Sequence, residues 1–97
     1  MSLDLEHLRV RRDEILKRAA ERGARNVRVF GSTARGDREA SNDVDLLVDM
    51  EPGRSLLDLV GLSQDLEDLL GTPVDILSAG GVSPHLRNHI YAEAVAL

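Results

Sequence analysis

The chain has 97 residues, which suits one small domain spanning 1–97 with a modest core, because a domain this small leaves much of its surface in water. A hydrophobic share of 42% against 30% charged residues reads as a soluble globular chain, and no apolar run reaches the roughly 20 residues of a membrane helix. The absence of cysteine excludes disulfides and thiolate metal sites, while a net charge of −5 and only two aromatic residues, Phe30 and Tyr91, argue against direct nucleic-acid binding.

The opening MSLDLEHLRV has no basic segment followed by a long apolar one, so no secretory signal is expected and a cytoplasmic location is favoured. Residues 3–22 read as one helix, with Leu5, Leu8, Ile15 and Ala19 near helical spacing and Gly23 as the stop. Val27 to Phe30 reads as a short strand with Val27 and Val29 on one face. Residues 32–37 suit a short helical turn just after Gly31. Asp43 to Asp49 is a second strand, and its apolar run predicts burial on both faces. Pro52 and Gly53 then interrupt the chain. Residues 55–70 form a long helix with Ser55 as N-cap and Leu56, Leu59, Leu62, Leu66 and Leu69 as its buried stripe; Gly71 ends it. Val74 to Leu77 is a third strand, Gly80 and Gly81 a loop, and Ser83-Pro84 the start of a last helix running to about Ala96. The order α-β-α-β-α-β-α predicts an α/β (α+β) fold, a small mixed sheet covered by helices.

The stretch VRVFGSTARGDREASNDVDLLVDM holds more polar chemistry than a connection between two strands requires. Asp43 and Asp45 alternate along a strand, so both carboxylates project from one face and repel each other. A divalent cation removes that repulsion, and Mg²⁺ is commonly held by one or two carboxylates together with substrate phosphates. A lone D-x-D is weak, because many strands begin with polar residues. Gly31 follows a strand and precedes a helical turn, so its backbone can approach a ligand closely. Backbone N–H groups there attract phosphate, and the Ser32 hydroxyl adds a donor. A Gly-Ser pair alone is an ordinary turn. Arg35 suits a phosphate contact or a surface ion pair with a local Asp. Asp75 lies between Val74 and Ile76 on a strand expected to be buried, where a carboxylate needs an Arg or a metal as partner. If that strand neighbours the Asp43–Asp45 strand, three carboxylates converge. Such a set holds two cations roughly 4 Å apart for in-line phosphoryl displacement, and Asp75 is then placed to accept the proton of an attacking hydroxyl.

In combination, GSTARG from Gly31 to Gly36, Asp43-Val44-Asp45 and Asp75 on a later strand resemble the nucleotidyltransferase superfamily that includes DNA polymerase beta. The short chain resembles its minimal prokaryotic branch, the MNT proteins, over nearly the whole length. The branch usually has Ser directly before the first Asp, where this chain has Asn42. The resemblance implies that Gly31 and Ser32, with Arg35 less directly, hold the triphosphate of ATP. It implies that Asp43, Asp45 and Asp75 bind Mg²⁺, two ions being expected, and that Asp75 assists the nucleophile. It further implies an antitoxin role in a hetero-oligomer with a HEPN-type toxin, with AMP transferred from ATP to a tyrosine of that partner. About 20 residues follow Leu77, room for one helix and too little for a large acceptor-binding domain. The spaced Arg–His motif of such toxins is absent, so the chain is not itself the toxin. The alternatives are an antitoxin that neutralises its partner by binding alone, or a nucleotidyltransferase acting on RNA or a small molecule. Three other features read as structural. His85 and His89 share a helix face but lack a third zinc ligand. Tyr91 suits the core or, as the alternative, an interface anchor, and Asp49 to Glu51 suit a solvated strand exit that also adds negative field near the metal site.

Overall fold

The computed structural model of the chain describes residues 5–35, 43–81 and 84–97. Two helices, α1 (Leu5–Val10) and α2 (Arg12–Glu21), lead into strand β1 (Ala24–Phe30). A one-turn helix α3 (Gly31–Arg35) follows, then β2 (Val44–Met50), the long helix α4 (Leu56–Leu70) and β3 (Val74–Ser78). A 3-10 turn (Ala79–Gly81), helix α5 (Pro84–Glu93) and a two-residue strand β4 (Val95–Ala96) complete the described chain. The sheet has the order β3-β2-β1-β4. β1 is antiparallel to both its neighbours, whereas β2 and β3, joined by the α4 crossover, are parallel. The expected small mixed sheet with helical cover is therefore formed.

β2 sits at the centre because it is apolar on both faces. Val44, Leu46 and Val48 point into the main core, where they meet Leu8, Ile15 and Ala19 from α1 and α2 and Leu62 and Leu66 from α4. Leu47 points to the other face and packs with Ala79 and Ile90, flanked by Phe30 and Ala94. Each fully buried Leu or Val of this kind contributes about 1.5–3 kcal/mol relative to exposure. α4 starts where the Asp58 carboxylate accepts a hydrogen bond of 3.2 Å from the Ser55 N–H, a capping interaction that satisfies a backbone donor otherwise left open. It stops at Gly71, whose φ of 71° reverses the chain while its N–H bonds the Glu67 carbonyl at 2.8 Å. α4 also grips the open edge of β3. The Ser63 hydroxyl donates to the Val74 carbonyl at 2.6 Å, and the Val74 N–H donates to the Glu67 carboxylate at 2.9 Å. Arg22 ties α2 to α4 through Asp65 at 3.0 Å, a hydrogen bond that holds the guanidinium above its ordinary pKa.

Several expectations are corrected. The single helix over 3–22 is two helices meeting at Arg11, whose guanidinium donates to the Leu69 carbonyl of α4 at 3.1 Å. That tertiary contact has no local sequence signal, and the apolar positions Leu8, Ile15 and Ala19 are buried all the same. Leu56 is not part of the buried stripe: it is 73% exposed, while Leu62 and Leu66 are buried. Helical spacing identifies a face but not where along it the sheet ends. The last helix stops at Glu93 instead of Ala96, because Val95 and Ala96 pair with Val29 and Arg28 and so cover the outer edge of β1. Leu97 then reaches the main core. Tyr91 is not core but 40% exposed, with the Arg28 guanidinium 5.4 Å from its ring centroid. Asp49 is partly solvated near the end of β2, as expected, and is also ion-paired with Arg28 at 3.0 Å and accepts from the Asn26 amide at 2.7 Å. The proposed cap Ser83 and the end of the 32–37 turn lie outside the described residues.

Candidate active site

The sheet register aligns three residues across three strands. Phe30 of β1 is paired with Asp45 of β2, and Asp45 is paired with Asp75 of β3. Paired residues project from the same face. Since Val44, Leu46 and Val74 fill the main core, Asp45 and Asp75 lie on the opposite face, the one carrying Phe30 and Leu47. Neighbouring strands are about 4.8 Å apart, so the two carboxylates start from adjacent backbones. Asp43 immediately precedes β2 and is half-buried; by strand alternation it shares the face of Asp45.

Asp75 differs from expectation in its surroundings. It is exposed, because β3 is an edge strand, so its charge does not need a buried partner. It also lines a groove of about 400 Å³ between α4 and β3, together with Leu56, Leu59, Val60, Gln64 and Glu67. Among the described residues no three His, Cys, Asp or Glu side chains are gathered closely enough to hold a metal. His85 and His89 are both exposed, and His89 faces Glu93 at 3.6 Å.

The turn from β1 into α3 closes the other side. Gly31 has φ 71°, a conformation that side chains rarely adopt, and it brings the start of α3 over β2. A Cβ built on Gly31 would lie 2.5 Å from Oδ2 of Asp45, so the carboxylate rests directly against this glycine. Thr33, only 6% exposed, donates from its hydroxyl to the Asp43 carbonyl at 3.4 Å and so stitches α3 to the start of β2. Thr33 was not singled out from the sequence; its place inside GSTARG was the available signal. The backbones of Ser32 and Arg35 belong to α3, but their side chains, like Gly36 and Asn42 altogether, lie outside what is described.

Carboxylate oxygens are the donors a hard divalent cation takes, but the expected convergence of Asp43, Asp45 and Asp75 is not seen among the described residues: the register makes Asp45 and Asp75 neighbours, and no group of three is gathered closely enough to hold an ion. Mg²⁺ takes few protein carboxylates when phosphates complete its shell. The register brings Asp45 and Asp75 together, with Asp43 one alternation away.

Comparison with known proteins shows the family and the fold. A family model for the nucleotidyltransferase domain matches residues 12–97. A protein of Methanocaldococcus jannaschii, provisionally named a protein adenylyltransferase, is 42% identical over 73 residues, covering 75% of this chain and 78% of its own length. The protein adenylyltransferase MntA of Thermococcus cleftensis is 39% identical over 73 residues, covering 75% of this chain and 74% of its own. A solved structure provisionally described as a minimal nucleotidyltransferase matches with TM-score 0.85 and 50% identity, over 98% of this chain and 97% of the other. A complex of a tri-AMPylated HEPN toxin from Shewanella oneidensis with an MNT antitoxin contains a chain that matches with TM-score 0.70 over 91% of this chain and 69% of that one. At 18% identity, that last likeness speaks for the fold alone. The chain belongs to the nucleotidyltransferase domain family and is a nucleotidyltransferase.

Proposed function

We propose that this enzyme transfers AMP from ATP to a tyrosine hydroxyl of a HEPN-type partner protein and thereby acts as its antitoxin. The observation that carries the reading is the Asp45–Asp75 register pair on the face closed by the Gly31 turn. The names of its relatives support protein adenylylation, and the solved complex of an AMPylated HEPN toxin with an MNT antitoxin supports the partner class.

In this reading the backbone at Gly31 and Ser32 receives the triphosphate, with Arg35 as a further contact. Asp43, Asp45 and Asp75 would hold Mg²⁺, which when bound neutralises the donor's charge and polarises the phosphorus under attack. Asp75, the exposed carboxylate, accepts the phenolic proton as the tyrosine oxygen bonds to the α-phosphorus. The bond from that phosphorus to the bridging oxygen breaks, and pyrophosphate leaves.

The test is incubation with ATP labelled at the α-phosphate, Mg²⁺ and the product of the gene neighbouring this one, expected to be a HEPN-type protein. Label on the partner, lost in Asp43→Asn and on chelation with EDTA and regained on adding Mg²⁺, is the expected result. A second reading is neutralisation by binding alone. It is favoured by the exposed apolar residues Leu56, Leu57 and Val60 on α4, a surface that suits a partner. Tight association without label would establish it in place of the first.

A further inference from the structure

Two glycines share the same backbone angle but not the same surroundings. Gly31 and Gly71 both have φ 71°. A Cβ added at Gly71 would meet nothing within 4 Å. One added at Gly31 would lie 2.5 Å from Oδ2, 3.3 Å from Cγ and 3.5 Å from Cβ of Asp45. The backbone angle therefore accounts for glycine at 71, but at 31 there is a second requirement, for empty space.

We infer that Gly31 is a positioning residue for Asp45: the volume left by its missing side chain is the seat of the Asp45 carboxylate. The inference rests on the proposed role of Asp45 as a working carboxylate. It assigns Gly31 a task distinct from close approach to phosphate. The order of the three distances shows why the effect is directional. The head group is the nearest part and the stem the farthest. The Asp45 backbone is paired on both sides, to Phe30 and to Asp75, and cannot retreat. Any atom placed in the seat is met by rotation of the side chain about its own bonds, turning the carboxylate away from its present direction while the sheet stays as it is.

The two requirements can be separated by asparagine. Asn tolerates positive φ better than other side chains, because its amide bonds locally to the backbone, yet it carries a Cβ. The experiment compares Gly31→Asn with Gly71→Asn in the full chain. Three quantities are measured: the thermal unfolding midpoint, the dissociation constant for Mn²⁺ alone, and the side-chain carboxyl ¹³C shift of Asp45 in metal-free protein. The two variants are expected to unfold within a few degrees of each other. The Mn²⁺ dissociation constant is expected to rise about tenfold or more in Gly31→Asn and to stay within about twofold in Gly71→Asn, a tenfold change being about 1.4 kcal/mol. The Asp45 carboxyl signal moves only in Gly31→Asn. An unchanged Asp45 signal in Gly31→Asn overturns the inference, as does unchanged Mn²⁺ affinity in a wild type that binds the ion. If the wild type binds no Mn²⁺, the metal-dependent reading fails by itself, and the ¹³C shift alone decides the seating of Asp45. Should Gly31→Asn not fold, the double variant Gly31→Asn/Asp45→Ala is made. Recovered folding supports the seat, and no recovery overturns it.

Discussion

The β1–α3 turn at Gly31 and the α4–β3 turn at Gly71 use one backbone solution in two settings. At Gly71 the left-handed residue ends a helix and faces open space, so its role ends with chain reversal. At Gly31 the same angle turns the chain over β2 and leaves a hollow that a carboxylate occupies. The difference teaches that a positive φ marks where glycine is tolerated best, whereas the neighbours of its absent Cβ mark where chemistry depends on it. The Gly31 region is governed by the direction of a charge, and the Gly71 region by the continuity of the fold.

The largest expected effect lies on the chemical side. Asp45→Asn lowers the rate of label transfer to the partner by about 100-fold or more, the scale seen when one charge-stabilising group is removed from an active site; single-turnover labelling measures it. A residual rate within threefold of wild type would mean that Asp45 is not a working ligand. On the architectural side, Leu62→Ala removes a fully buried side chain beneath β2 and is expected to cost about 2–5 kcal/mol in urea unfolding. Gly71→Ala isolates the left-handed angle, with an expected cost of about 1–2 kcal/mol and no change in label transfer at a temperature where the variant is folded. A loss of transfer there would erase the contrast between the two turns. Smaller again, Asp65→Asn weakens the partly exposed link to Arg22 by about 1 kcal/mol or less, with the difference shrinking in high salt. The smallest effect belongs to Leu56→Ser, an exposed position where stability is expected to change by no more than about 0.5 kcal/mol. A larger loss would restore Leu56 to the core stripe.

Much of this was legible in the sequence where spacing and chemistry coincide. The both-faces burial of β2 followed from its uninterrupted apolar run, and the data place Leu46 and Leu47 in two separate clusters. The α4 cap and stop followed from Ser55 and Gly71. The helix ends that failed were the ones set by distant partners. Arg11 breaks the first helix beside the α4 carbonyl of Leu69, and Val95 leaves the last helix to pair with β1. Tyr91 looked like core by composition, yet it lies half-exposed beneath Arg28. Asp75 looks like a buried charge because its neighbours are apolar; it is exposed on a strand beyond which, among the described residues, no further strand lies.

Local order alone points to most of the elements, to the burial of β2 on both faces and to Gly31, Asp43, Asp45 and Asp75 in a recognisable pattern. It does so because hydrophobic period, caps and glycine stops act over a few residues. Folding adds the relations between segments. The register sets Asp45 between Phe30 and Asp75, and the Asp45 carboxylate fills the hollow at Gly31. Those relations depend on strand order and on atoms meeting across 14 residues from Gly31 to Asp45 and 30 more to Asp75, distances in sequence over which no local propensity acts.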